Sequence, residues 1–297
     1  MRLIYDSDGG RQLKRKTSYI YWLFLLPSLV GVMLFYFIPF LYSFYYAMVD
    51  NLGSRNFVGL NNFISTLKND LFLRATLNTL IFIGLSVPLG TAIALFLSIC
   101  LKNMNRGRIA VTLAILLPLV IPSGTIVYFW KILFDSNGIL NLLLIKLGVS
   151  YQWITDHEWK MGILVLIFLW KNISYNIILF WSGLNWIPKT YYEIMELEGG
   201  GAFLKFRHIT LVYLSPTTFV VILMSIVNSF RVFKEVYLLY GGYPSTDIYM
   251  LQHYMNNQFL SLSMQKLASA AYIMFLVIGI VLFALYKAQK KLTDRYQ

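Results

Sequence analysis

Long runs without any charged residue dominate the chain. Residues 17–49 hold 33 uncharged positions between Lys16 and Asp50. Residues 75–101 hold 27, 109–130 and 209–230 hold 22 each, and 267–286 hold 20. The stretch from 161 to about 187 is similar, interrupted once by Lys171. About 20 helical residues cross about 30 Å of hydrocarbon, so each run predicts a transmembrane helix. A membrane β-barrel would alternate in segments of about 10 residues, and no such segments occur. The pattern therefore predicts an all-α integral membrane fold with six spans, at about 19–49, 75–101, 109–130, 161–186, 209–230 and 267–286. They form one membrane domain over 19–287, flanked by tails at 1–18 and 288–297, with a polar loop at 187–208.

The first run is longer than the apolar core of a secretory signal, and no small-x-small cleavage pattern follows it. It reads as a retained span, bent at Pro27 and Pro39. Orientation follows from basic residues. The two tails and the loops after the second and fourth spans carry 15 Lys and Arg, against 9 in the other three loops. By the positive-inside rule both termini are cytoplasmic.

Composition sharpens this. Of 297 residues, 58% are hydrophobic and 13% charged, where soluble domains carry about 25% charge. That excludes a water-soluble enzyme and a disordered chain. The net charge of +12 sits at the edges of apolar runs, which is membrane topology rather than a nucleic-acid surface. One cysteine excludes a disulfide framework. Gly-Lys never occurs, so there is no phosphate loop ending in Gly-Lys-Ser/Thr. His157, His208 and His253 lack metal-ligand spacing, and no Gly-x-Ser-x-Gly elbow is present. Nothing here supports catalysis.

The informative polar segment lies between the fourth and fifth spans. Pro188 and Thr190 can start a short helix, with Glu193, Glu196 and Glu198 expected near its positive end. Ile194, Met195 and Leu197 supply an apolar side, and Gly199, Gly200 and Gly201 stop the helix. Helices that rest on lipid headgroups carry Lys and Arg on their polar face, whereas this one carries glutamates, which favours a protein partner. In the fourth span Phe168, Lys171, Asn172 and Tyr175 fall on one helix face, and Trp170, Ser174 and Trp181 on a neighbouring stripe. Polar residues in spans line a cavity or bond to a neighbouring helix, and both readings stand. Arg231 and Glu235 are four apart and can pair with each other.

The segment resembles the cytoplasmic signature loop of binding-protein-dependent ABC importer permeases: Glu-Ala-Ala-x-x-Asp-Gly-Ala, then Phe, then Ile-x-Leu-Pro. Glu193, Glu198 and Gly199 take the glutamate, acidic and glycine positions, and Phe206, Ile209 and Leu211 the later hydrophobic ones. Ile194 and Met195 replace the two alanines, Gly200 the last alanine, and Val212 the proline. Phe57-Val58-Gly59-Leu60-Asn61-Asn62-Phe63 and Gly241-Gly242-Tyr243-Pro244 resemble the carbohydrate, maltose-type branch of that family.

The resemblance implies a type I ABC importer-like permease domain in a bacterial cytoplasmic membrane. Implied partners are a second homologous permease, two cytoplasmic ATPases and an extracytoplasmic solute-binding protein. ATP and Mg would bind the ATPases, and no cofactor this subunit. Glu193, Ile194, Met195, Glu196, Glu198, Gly199 and Gly200 would form the ATPase-coupling helix. Phe168, Lys171, Asn172 and Tyr175 match the face that meets sugar in maltose-type importers, and Asn228 and Arg231 match similarly placed positions in the fifth span. The cargo expected is a sugar or oligosaccharide. Alternatives are a non-sugar cargo such as polyamine or phosphate, or an anionic sugar favoured by Lys171 and Arg231.

Overall fold

The computed structural model describes residues 22–50, 53–135, 137–146 and 157–296. The expected tail 1–18 lies outside them. The described chain is helical, with one isolated antiparallel bridge between Val49 and Phe57. Helix α1 runs Trp22–Ala47 through a π turn at Met33–Phe37. A short α2 (Asn61–Leu67) leads into the long α3 (Asp70–Asn103). Then come α4 (Arg108–Val120), α5 (Ser123–Phe134), α6 (Ile139–Ile145) and α7 (His157–Asn185). Helix α8 (Lys189–Leu197) precedes α9, a helical run over 202–213 with a π turn at Phe206–Thr210. Helix α10 (Ser215–Ser229) passes through a 3₁₀ turn, Phe230–Val232, into α11 (Phe233–Tyr240). Helices α12 (Leu251–Leu260) and α13 (Met264–Tyr296) complete the chain.

Five stretches are long and apolar enough to cross a membrane: Trp22–Ala47, Asp70–Asn103, Trp159–Asn185, Ser215–Tyr240 and Met264–Lys291. A sixth exists if α4 and the helices after it count as one bent span. Here the structure differs from the continuous helix expected over 109–130. The helix stops at Val120, and Ile121 and Pro122 are extended, with ψ of 127° and 144°. Pro122 has no N–H to continue the helix and disfavours helical geometry at Ile121. A second difference lies past residue 230. The helix continues to Tyr240, past the boundary expected at 230, so Glu235 also sits inside the span. Likewise α13 runs to Tyr296, through the stretch expected as a tail.

Local sequence explains several helix ends. Asn69 caps α3 by accepting the Phe72 N–H at 2.9 Å, and Asp70 occupies its first turn. The Asn62 amide donates to the carbonyls of Ala47 and Val49, at 3.0 and 2.7 Å. It thereby satisfies backbone acceptors left open where α1 ends.

Helices α3 and α7 pack along each other more extensively than any other pair. Phe82 of α3 meets Leu164, Val165, Phe168 and Leu169 of α7, with Val232 and Val236 closing the layer. A second layer joins Ala94 and Leu101 to Ile177, Phe180, Leu184, Ile209, Leu214 and Val221. Small residues permit the approach. A β-carbon on Gly183 of α7 would lie 2.7 Å from the Thr217 hydroxyl and 2.9 Å from Leu214. Close backbone contact of this kind replaces the hydrophobic driving force that lipid removes between helices. The most apolar stretch of α1, by contrast, has no residue buried within the chain.

At the end of the bundle away from α8, the segment 245–257 folds back onto α3. The Asn78 amide donates to the carbonyls of Thr246 and Tyr249, at 2.7 and 3.0 Å. The Thr79 hydroxyl accepts the Leu251 N–H. His253 is fully buried there, edge-on to the Phe233 ring at 4.7 Å. Burial pushes its imidazole down to about 4. An unfolded histidine titrates near 6.5, so below that pH the open segment takes up a proton that the folded one refuses. Stability contributed by the closed segment should fall as pH drops from about 6.5 to about 4, then level off. Thermal unfolding of the detergent-solubilised chain should show this decline, and His253→Gln should flatten it.

Candidate functional site

The face of α7 bearing Phe168, Lys171, Asn172 and Tyr175 turns toward α10. With Asn228 and Arg231 they line one cavity of about 430 Å³, which Leu119, Met224 and Glu235 also border. All six residues singled out in the two spans therefore meet around a single space. Phe168 is 4% exposed and edge-on to Phe82 at 5.3 Å, so it forms wall. The Asn172 amide donates one hydrogen to the Phe168 carbonyl at 2.9 Å. Its oxygen and second hydrogen stay available.

Glu235 is the residue the sequence reading did not place here. It is 3% exposed, and its Oε1 accepts from Lys171 Nζ at 2.6 Å. The expected Arg231–Glu235 pair does not form. The 3₁₀ turn at Phe230–Val232 breaks the α register that would stack residues four apart. Arg231 instead stays exposed on the cavity wall and makes no ion pair among the described residues. Four-residue spacing to an arginine inside an apolar run was the available signal for Glu235.

The neighbouring stripe of α7 bonds to other helices of this chain. The Ser174 hydroxyl donates to the Ile115 carbonyl of α4, and the Asn176 amide to the Ser225 hydroxyl of α10 at 3.0 Å. Trp170 stands edge-on to Trp130 at 5.7 Å, and Trp181 lies 5.8 Å from the Arg108 guanidinium. The face holding Phe168, Lys171, Asn172 and Tyr175 borders the cavity, and Ser174 and Asn176 on its flanks bond to neighbouring helices.

The second candidate region is α8. It begins at Lys189 behind Pro188 and has no acidic residue in its first turn. This corrects the expectation that the glutamates gather at its positive end. Glu193 lies in the second turn, Glu196 near the C-terminus, and Glu198 is the capping residue. A carboxylate at a helix C-terminus is unfavourable, and Lys205 offsets this at Glu196 with a 2.8 Å contact. Hydrogen bonding to Lys205 holds the Glu196 carboxyl below its usual range.

The apolar residues of α8 also divide. Tyr192 and Met195 pack against the α7–α9 layer, and Tyr192 shares a 3.0 Å hydrogen bond with Thr210. Ile194 is 49% and Leu197 89% exposed. Lys102, at the end of α3, donates to the Leu184 carbonyl at 2.8 Å and lies 5.4 Å over the Tyr192 ring. Three elements thus fix the inner face of α8, while its outer face presents Glu193, Ile194 and Leu197.

The stop signal is a Schellman motif. The Gly200 N–H bonds to the Met195 carbonyl at 2.8 Å, and the Gly199 N–H to Glu196 at 3.0 Å. Gly199 has φ of +79°, where glycine avoids the β-carbon penalty. A β-carbon on Gly200 would come within 2.6–2.7 Å of Met195 atoms. Among the described residues, no group of three or more His, Cys, Asp or Glu could hold a metal ion.

A polytopic helical bundle with a polar cavity between two spans defines a membrane transport subunit. No protein-family profile matches the sequence. The sn-glycerol-3-phosphate transport permease UgpA of Yersinia pestis is 30% identical over 290 residues, 94% of this chain and 97% of that protein. The trehalose/maltose transport permease MalF of Thermococcus litoralis is 29% identical over 80% of this chain and 83% of its own. A crystal structure of a bacterial ABC transporter importing the acidic polysaccharide alginate superposes with a TM-score of 0.80. It covers 95% of this chain and 99% of its own at 23% identity. The chain belongs to the permease subunits of ABC importers, in their carbohydrate branch, a family that conducts substrates and catalyses no reaction.

The Lys171–Glu235 bond gives a test that does not depend on cargo. Glu235→Leu leaves the ammonium without its buried partner, and Lys171→Met/Glu235→Leu removes both charges. The single change should lower the thermal midpoint more than the double change, with a coupling of about 1–3 kcal/mol in a double-mutant cycle.

Proposed function

We propose that this chain forms one half of the translocation pathway of an ATP-driven sugar or oligosaccharide importer in a bacterial cytoplasmic membrane. A second homologous permease supplies the other half. Two cytoplasmic ATPases bind ATP and Mg, and an extracytoplasmic receptor delivers the cargo. The alginate transporter solved with its oligosaccharide-bound periplasmic protein supports the last of these by analogy. The distribution of Lys and Arg supports cytoplasmic termini and a cytoplasmic α8.

The observation that carries this reading is the division of α8 into an anchored and a free face. Tyr192 and Met195 are held to the bundle, while Glu193, Ile194 and Leu197 point away from it. On this reading α8 is the coupling helix, with Glu193, Glu196 and Glu198 meeting basic or backbone donors of the ATPase. Ile194 and Leu197 enter its apolar cleft, and Gly199 and Gly200 fix the exit direction. ATPase closure then moves α8 as a rigid body and rocks α7 against α10. Phe168, Lys171, Asn172, Tyr175, Asn228 and Arg231 line the path. Aromatic rings suit the apolar faces of sugars, and amides and charges suit their polar groups.

Among non-sugar cargoes, a polyamine is opposed by the exposed Arg231 guanidinium, whereas phosphate is not. The assembled transporter tests the reading in proteoliposomes supplied with receptor and ATP. Uptake should require both ATPase and receptor, and Glu193→Lys should reduce ATPase capture by the permeases at least tenfold. Accumulation by the chain alone, or protease mapping of Glu193 to the outer face, would refute it.

A further inference from the structure

We propose that the cavity between α7 and α10 recognises an acid group on its cargo, a carboxylate or phosphate borne by a sugar or polyol, through the guanidinium of Arg231. The inference rests on the importer reading above and names the charge class of what is carried.

Charge balance inside the cavity carries it. Three ionisable side chains of formal charge line the space: Lys171, Glu235 and Arg231. Two of them cancel, because Lys171 Nζ lies 2.6 Å from Glu235 Oε1 and Glu235 is 3% exposed. The lone carboxylate of the cavity is thereby sequestered, and it neither neutralises Arg231 nor repels an incoming anion. Arg231 remains, exposed on the wall, with no ion pair among the described residues.

An unpaired cation at membrane depth is costly, and such residues mark substrate pathways. Arginine keeps its charge at any working pH, so it cannot relieve the cost by losing a proton. Its planar fork matches a carboxylate or phosphate with two parallel hydrogen bonds. Asn172, Tyr175 and Asn228 border the same cavity and offer amide and hydroxyl groups to the hydroxyls of the same cargo.

The assembled transporter, with sister permease, ATPases and receptor, is given four probes in proteoliposomes: digalacturonate, glycerol 3-phosphate, maltotriose and trehalose. One acidic probe should be carried faster than either neutral one, and which of the two it is separates carboxylate from phosphate recognition. Arg231→Gln should reduce that uptake at least tenfold at saturating receptor, and Arg231→Lys should fall between. Uptake of maltotriose or trehalose at least as fast as the acidic probes, unaffected by Arg231→Gln, overturns the inference and leaves the importer reading standing. So does loss of assembly of the two permeases in Arg231→Gln, which would give the guanidinium a counter-ion on the sister subunit. Transport of none of the four sinks the importer reading and this inference together.

Discussion

Hydrocarbon offers no hydrogen bonds, so every polar group carried into the bundle must find its partner within protein or in a water-filled space. The Lys171–Glu235 bond is the strongest expression of that constraint in this chain. A carboxylate 3% exposed inside an apolar span would be strongly penalised alone. Paired at 2.6 Å, it ties α7 to α11 and fixes one end of the cavity. Other polar groups obey the same rule, although Trp130 Nε1, the Tyr240 hydroxyl and His253 Nε2 are buried without a hydrogen-bond partner. Ser174 and Asn176 reach hydroxyl or carbonyl acceptors on α4 and α10. Thr79 and Asn78 take up the backbone of the segment folded over α3. What is left without a partner inside the chain is therefore informative, and Arg231 is such a residue.

Rotation around α7 separates the Ser174 and Asn176 contacts from the cavity-lining residues. Successive helical residues differ by about 100°, so Ser174 and Asn176 face neighbouring helices while Asn172 and Tyr175 face the cavity. The α3–α7 contact depends on apolar layers and on Gly90 of α3, where a β-carbon would lie 3.0 Å from Leu169. The lining face nevertheless carries stability as well, because Phe168 belongs to the apolar core and Lys171 bonds to Glu235.

The spans were legible because uncharged runs of 20 or more residues have one economical explanation in water. What the runs hid follows from treating a charge as a boundary. Arg231 ended the fifth run on paper, yet the helix continues because Glu235 finds Lys171 and Arg231 faces a cavity. Pro122 lay within an unbroken apolar run, and the helix stops before it because it lacks an N–H and disfavours helical geometry at Ile121. In the signature segment the residues were legible but their placement was not. Composition counted Ile194, Met195 and Leu197 as one apolar side, whereas the 3.6-residue period sends Met195 inward and leaves Ile194 and Leu197 out. Lys102 contributed only a positive charge to the orientation count. Its bond to Leu184 and its position over Tyr192 depend on tertiary approach between elements about 80 residues apart, which local pattern does not encode.

The two walls of the cavity connect to α8 through arms of unequal stiffness. One arm is α7, helical through Asn185, linked to α8 by three residues and braced by Lys102. From Tyr175 to Asn185 it spans roughly 15 Å at 1.5 Å per residue. The other arm is α9 and α10, interrupted by a π turn at Phe206–Thr210 and by a turn residue at Leu214 before it reaches Asn228. Irregular turns are where helices bend and change register. A displacement applied at α8 would reach Phe168, Lys171, Asn172 and Tyr175 nearly undiminished, while Asn228 and Arg231 would lag behind. The cavity would then open or close by shear between its walls, and the Lys171–Glu235 bond, which joins the stiff arm to the compliant one, is where that shear would be resisted.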